Sequence, residues 1–290
     1  MSRRHLDGKA VLLSGATGGI GREVARLLLE RGARVALVSR PSERLDGLVA
    51  DLDSPDAIAF AADVTDRAEV QDAADRAAER FGGLDAAIAG AGVVLTGTIA
   101  EQSEEDVRRV VDTNLYGTLW TLQAALPHVD RAGGHLLAVA SIAGIVPTPL
   151  AGIYPATKAA VGEVIAQLRM ELMHRPTSAG VVYLGMVDTE MSTGVGEDER
   201  LHRAMERTPS PLTGSLKAED AAERIIRAVE GRQAAVVAPV WQLPLAVPQL
   251  GLQRVVETGI RVTALARELP RGRAAPPEEP GGDAGEEERR

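Results

Sequence analysis

The chain has no cysteine in its 290 residues. Disulfides, thiolate zinc sites, iron–sulfur clusters and cysteine nucleophiles are therefore excluded, and a cytoplasmic location is expected. Positive charge is also short: 32 Lys and Arg against 41 Asp and Glu leave a formal charge of -9. A protein that tracks nucleic-acid phosphates needs a basic face, so no nucleic-acid partner is expected. Lysine itself is scarce, with Lys9, Lys158 and Lys217 set against twenty-nine arginines. Aromatics are limited to Phe60, Phe81, Tyr116, Trp120, Tyr154, Tyr183 and Trp241. A rare residue inside a short motif thus weighs more than an arginine, which is read by default as solvated surface. The five histidines show no ligand spacing. They are read as surface residues, and no metal site is expected. The stretch Met1 to Gly8 is polar, so no signal peptide is expected.

What is present is an ordinary globular balance, 45% hydrophobic and 25% charged. Short apolar runs recur at Ala10 to Leu13, Arg34 to Ser39, Ala57 to Ala62, Ala86 to Ala89, His135 to Ala140, Val181 to Leu184 and Ala235 to Ala238. Runs apolar on both faces read as strands of a buried parallel sheet. Between them, Arg22 to Arg31 and Asp66 to Arg80 place Val24, Leu27 and Leu28, then Val70, Ala73, Ala74, Ala77 and Ala78, on single helical faces. The fold class expected is α/β, a doubly wound Rossmann-type parallel sheet of about seven strands. One domain over residues 6–240 is followed by an apolar or amphipathic extension over 241–270 and a disordered tail over 271–290.

Chemistry enters at the first strand-to-helix turn, Ser14-Gly15-Ala16-Thr17-Gly18-Gly19-Ile20-Gly21. Glycines let the chain turn sharply and bring backbone N–H groups close to a pyrophosphate at the positive end of the next helix. The competing reading is a tight turn of small residues. The second strand closes on Ser39 and Arg40. A carboxylate there would accept hydrogen bonds from ribose hydroxyls; serine plus arginine instead favours a 2′-phosphate, which a guanidinium pairs through its fork of donors. Against that stands the abundance of arginine in this chain. Asp63, after the third strand, either reaches an adenine amino group or starts a turn.

Tyr154-Pro155-Ala156-Thr157-Lys158 lies thirteen residues beyond Ser141. Four residues apart on a helix, Tyr154 and Lys158 share a face. With three tyrosines and three lysines, such a pair arises by chance about 0.03 times per chain of this composition. A phenol with an ordinary pKa near ~10 is a poor base at neutral pH, and a nearby ammonium favours its phenolate. The tyrosine can then exchange a hydroxyl proton while hydride moves to or from a nicotinamide. Ser141, at the end of the fifth strand, is either an ordinary turn serine or a donor to the substrate oxygen.

On these motifs the sequence resembles the short-chain dehydrogenase/reductase family over about residues 6–240. The resemblance implies a catalytic set at Asn114, Ser141, Tyr154 and Lys158, with Asn114 holding a water toward the lysine and Lys158 also bonding ribose. It implies a cofactor turn of Gly15, Thr17, Gly19, Ile20 and Gly21, adenosine contacts from Ser39, Arg40, Asp63, Val64, Ala89 and Gly90, and carboxamide contacts from Gly185, Val187 and Thr189. Substrate would meet Ser141, Tyr154, Met186 and Met191, although both methionines also suit core or flap packing. The activity implied is an NADP(H)-dependent oxidoreductase interconverting an alcohol with a ketone or aldehyde, lipophilic in view of the apolar C-terminal extension. A non-catalytic NADP(H)-binding regulator is the alternative, and it has no need of the phenol–ammonium pair. A homodimer or homotetramer through the helices of Asn114 and Tyr154 is likewise implied.

The chain also departs from that family. Ala89-Gly90-Ala91-Gly92 stands where many members have Asn-Asn-Ala-Gly, so stabilising bonds must come from elsewhere. Leu184-Gly185 replaces Pro-Gly, and Gly18 stands where NADP-using members often carry a basic residue. The polar stretch Glu190 to Pro211 reads as a flap over the substrate. Gln233 to Gln253 is uncharged, but Pro239, Pro244 and Pro248 argue against a membrane span. Leu250 to Leu269 suits an amphipathic helix that covers the cleft, pairs subunits or rests on a membrane surface.

Overall fold

Strands whose alternate side chains are both apolar can be satisfied only by helices on each side of the sheet. The computed structural model describes residues 6–191, residue 200 and residues 214–244, and shows this arrangement. In chain order the elements are β1 (Ala10–Ser14), α1 (Gly19–Glu30), β2 (Arg34–Ser39), α2 (Glu43–Leu52), β3 (Ala57–Ala61), α3 (Arg67–Phe81), β4 (Ala86–Ala89) and α4 (Glu104–Val111). A π-helical turn (Asp112–Tyr116) leads into α5 (Gly117–Ala132), then β5 (His135–Ser141) and α6 (Tyr154–Glu171). The remainder comprises β6 (Ser178–Leu184), β7 (Val187–Asp188), β8 (Leu216–Lys217), α7 (Ala218–Glu230) and β9 (Ala235–Ala238).

Seven parallel strands run in the order β3-β2-β1-β4-β5-β6-β9, and β7 pairs with β8 in a separate ribbon. Alternation decides the two cores. Ala10, Leu12, Ala36 and Val38 pack with α3, α5 and α6, whereas Val11, Leu13, Val35 and Leu37 pack with α1, α2 and α7. The chain winds outward from β1 through β3 and then returns to β4 on the other side of β1. That reversal opens a crevice at the carboxyl ends of β1 and β4, the place where such sheets take ligands.

Several boundaries differ from expectation for local reasons. Helix α1 begins at Gly19, three residues before Arg22, because the turn glycines already form its first turn. Asp66 lies outside α3 and caps it, its carboxylate accepting from Ala68 N at 2.8 Å and Glu69 N at 3.1 Å. Strand β6 starts at Ser178 rather than Val181, since Ser178 to Gly180 pair with His135 to Leu137 despite their small side chains. Residues 245–290, which hold most of the expected extension over 241–270 and all of the expected tail over 271–290, and most of the expected flap lie outside the described residues. Among the described residues, no helix is long and apolar enough to cross a membrane, and no group of three potential metal ligands occurs.

A belt of polar contacts holds the amino-terminal ends of the strands. Asp85 pairs with Lys9 at 2.8 Å and accepts from Ala10 N at 2.9 Å. Arg232 donates to the Gly134 and Pro176 carbonyls, both at 2.6 Å, and to Ser178 at 2.9 Å. Asp130, at the end of α5 and 1% exposed, accepts from Thr177 Oγ1 at 2.6 Å and from Arg175 at 3.3 Å.

The same belt corrects the reading of the histidines as surface groups. His135 is 2% exposed, its Nδ1 lies 2.9 Å from Ser178 Oγ, and its Nε2 has no partner among the described residues. Burial, aided by the Arg232 guanidinium, pushes its pKa from 6.5 down to about 4. Above the unfolded value the ring is neutral in both states. As pH falls from 6.5 toward 4, the unfolded chain gains a proton that the folded one refuses. Stability is expected to decline across that window by up to about 3 kcal/mol. Equilibrium denaturation against pH should show this loss in the wild type and not in His135→Asn; parallel curves would refute it.

Candidate active site

At the mouth of the crevice, the β1–α1 turn is built on a glycine that no other residue can replace without strain. Gly15 has φ +73°, and a Cβ there would lie 2.6 Å from Ala91 N, so the turn passes directly against the segment after β4. A Cβ on Gly21 would collide with the Gly15 carbonyl, and one on Gly19 would come within 2.9 Å of the Thr189 methyl. The N-terminus of α1 has no side-chain cap and no acidic residue in its first turn. Its free N–H groups and positive end suit an anion.

Around this turn, Thr17 Oγ1 lies 2.8 Å from Ser39 Oγ, tying the glycine loop to the end of β2. Arg40 is exposed, and among the described residues its guanidinium has no hydrogen bond or ion pair. Asp63 accepts from Thr65 N at 3.0 Å and Thr65 Oγ1 at 2.9 Å, and so starts a turn after β3. Val64 is buried, and its side chain packs on Gly117.

The Ala89-Gly90 segment, which lacks the asparagine bonds, is held by Ser14, whose hydroxyl accepts from Gly90 N at 3.3 Å and meets Thr121 Oγ1 at 3.3 Å. On the other side of the crevice, Gly185 N donates to Ala238 O at 2.7 Å, Val187 is buried in β7, and Thr189 lies over Gly19. Met186 is half-buried and Met191 is 44% exposed.

The π-helical turn carries Asn114, which is fully buried. Such turns widen a helix by one residue and tend to accompany functional positions. Asn114 Oδ1 accepts from Val93 N at 2.7 Å, while Nδ2 donates to Val93 O at 2.9 Å and Thr157 Oγ1 at 3.1 Å. A Cβ at Gly92 would lie 3.3 Å from both Asn114 Oδ1 and Lys158 Nζ, so these two groups converge on one glycine.

Ser141, Tyr154 and Lys158 are brought together as well. The Ser141 hydroxyl donates to Leu184 O at 3.2 Å and accepts from Ala143 N at 3.2 Å, and it lies close enough to the Tyr154 phenol to act on its ionisation. Lys158 donates to Val139 O at 3.0 Å, and its Nζ stands 5.8 Å from the centre of the Tyr154 ring. The ammonium thus faces the ring rather than bonding the phenol oxygen. Burial pushes the Tyr154 phenol up, the Ser141 hydroxyl opposing it, and pushes Lys158 down to about 8. The expected depression of the phenol by Lys158 is therefore not seen in this state, where desolvation dominates. Gln102 carries no motif, and Ser14 opens the glycine turn without a role assigned there; the contributions of both are visible only through partners distant in sequence.

The short chain dehydrogenase family model matches residues 9–200. An uncharacterized oxidoreductase of Staphylococcus aureus (strain MW2) is 36% identical over 196 residues, 67% of this chain and 85% of its own. One from Staphylococcus epidermidis (strain ATCC 12228) is 34% identical over 193 residues, 66% of this chain and 84% of its own. A solved short chain dehydrogenase from Burkholderia cenocepacia, in complex with NADP, superposes with a TM-score of 0.71 at 30% identity, covering 80% of this chain and 97% of that one. A short chain dehydrogenase/reductase from Burkholderia phymatum, in complex with NAD, gives a TM-score of 0.72 at 24% identity over 89% and 96% of the two chains.

Proposed function

Since the chain belongs to the short chain dehydrogenase family and is an oxidoreductase, we propose that it interconverts an alcohol with a ketone or aldehyde, using NADP(H). The observation that carries this reading is the convergence of Ser141, Tyr154, Lys158 and Asn114 beside an uncapped α1 N-terminus. The glycine turn fits a dinucleotide: Gly15, Gly19 and Gly21 leave open the space that side chains would fill, and the helix end suits a pyrophosphate. Gly15, Thr17, Gly19, Ile20 and Gly21 would hold the phosphates, Lys158 the nicotinamide ribose, and Gly185, Val187 and Thr189 the carboxamide. When bound, the nicotinamide supplies or accepts the hydride.

The chain's own groups handle the proton. Tyr154 gives its phenolic proton to the carbonyl oxygen during reduction and takes it back during oxidation. Ser141 has one hydroxyl proton, which rests on Leu184 O and can rotate to the substrate oxygen. Lys158 stays cationic up to about pH 8 and stabilises the phenolate through space. Asn114 supports the relay by fixing the loop at Val93 against α6. Half-buried Val94, Leu95, Ile145, Val146 and Met186 in the surrounding loops support a lipophilic substrate.

Preference for NADP(H) rests on the exposed Arg40 beside Ser39 and Thr17, with no carboxylate in the sequence at that strand end. Assembly through α5 and α6 is supported by the exposed Tyr116 stacked on Trp120 at 5.7 Å, and cytoplasmic residence by the cysteine-free sequence. Turnover of a panel of hydrophobic carbonyls with NADPH tests the activity. Arg40→Asp is expected to weaken NADPH binding about tenfold or more and leave NADH binding nearly unchanged. Equal losses for both cofactors would refute the preference, and tight NADPH binding without turnover of any carbonyl would favour a regulatory protein.

A further inference from the structure

The loop after β4 and the loop before α6 meet over the crevice, where three hydrogen bonds join them and a fourth braces the first loop internally. Gly97 N donates to Leu150 O at 2.9 Å, and Gly152 N donates to Gly97 O at 3.0 Å. The other two bonds belong to one side chain: Gln102 Nε2 donates to Leu95 O at 3.2 Å, and Gln102 Oε1 accepts from Ile153 N at 2.7 Å. Ile153 is the N-cap of α6, the residue immediately before Tyr154.

Asn114 does the same on the far side of Tyr154, joining Val93 to Thr157. Thr157 Oγ1 in turn donates to the Tyr154 carbonyl at 2.7 Å. The first turn of α6 is therefore clamped to the β4–α4 loop at residues 153 and 157 by two amide side chains, one on either side of the phenol-bearing residue.

We propose that Gln102 is a positioning residue for Tyr154, the partner of Asn114 in a two-amide clamp that fixes the phenol against Ser141. It acts through the α6 N-cap and touches no reacting atom. Gly152 is part of the same device. Its φ is +53°, and a Cβ there would collide with the Gln102 amide, so the glycine is needed to admit that side chain. Leu150, also at positive φ (65°), shows how tightly this loop is bent to reach Gly97.

This inference rests on the proposed role of Tyr154, but its test includes a readout that needs no substrate. The chain has three tyrosines, so phenolate absorbance followed against pH resolves Tyr154 as the step missing in Tyr154→Phe. In Gln102→Met, which keeps the bulk and removes both polar ends, that step is expected to move by about one unit toward an exposed phenol. For the substrate that the panel identifies, kcat should fall by about 10- to 100-fold with the KM for NADPH unchanged. Gly152→Ala should reproduce the titration shift in the wild type. In a Gln102→Ala background, where the collision is relieved and only the left-handed φ still disfavours alanine, its further effect should be smaller. A lowered melting temperature with an unmoved Tyr154 step, or strictly additive effects of the two substitutions, would overturn the proposal. Retained turnover in Tyr154→Phe would instead overturn the functional reading and leave the titration result standing.

Discussion

Tyr154→Phe is expected to lower kcat by about 10³-fold, within the range that a positioned acid–base group supplies. The substitution removes one oxygen and little else. The ring keeps its place at the start of α6, and Lys158 keeps its bond to Val139 O at 3.0 Å because it faces the ring and not the phenol oxygen. Ser141 retains Leu184 O and Ala143 N as partners. NADPH affinity should therefore stay within about threefold of wild type, since a difference of that size is under ~1 kcal/mol. Steady-state kinetics and a cofactor titration on the same preparation separate the two effects. Full turnover would remove Tyr154 from the mechanism, and a joint loss of turnover and NADPH binding would assign it to the cofactor site alone.

Asp130→Ala is expected to have the largest effect on stability, about 4 kcal/mol, which for a domain of this size is roughly a 10 °C fall in melting temperature. The reason is burial rather than distance. Asp130 is 1% exposed and Arg175 is 12% exposed in its side chain. Arg175 Nε already lacks a partner among the described residues. Removing the carboxylate leaves a buried guanidinium without a counter-ion and also frees the Thr177 hydroxyl, bonded to it at 2.6 Å. The Arg108–Glu104 pair is shorter than the Asp130–Arg175 contact, 2.7 Å against 3.3 Å, but its side chains are 71% and 78% exposed. Its loss should cost only a few tenths of a kcal/mol. Urea denaturation of Asp130→Ala beside Arg108→Ala decides the matter, and equal midpoints would contradict the argument.

Only one of these two predictions was legible from sequence. Tyr154 and Lys158 lie on one helical turn, and their rarity makes the pair visible without any structure. The strands were legible for a similar reason, because residues apolar on both faces have no other stable use in a polar solvent. Asp130, Gln102 and His135 carry no comparable mark. Gln102 bonds Ile153 fifty-one residues away, and Asp130 bonds Thr177 forty-seven residues away. A local pattern records which residues share a turn or a strand, not which loops meet. The π-helical turn at Asp112–Tyr116 escaped for another reason: its extra residue leaves the apolar spacing of the flanking helices almost undisturbed. The missing asparagine after β4 pointed to a substitute support, but its source in Ser14 depends on how β1 and β4 pair.

The polar belt at the amino-terminal ends of the strands has a practical corollary for anyone altering this protein. The groups to which the proposed chemistry is assigned sit at the opposite rim, where the strands end, whereas Asp85, Asp130, His135 and Arg232 bind the lower rim together. Selection for heat tolerance and selection for a new substrate would then draw on separate sets of positions. Gains accumulated at one rim form a reserve against the destabilising changes that remodelling the other usually brings.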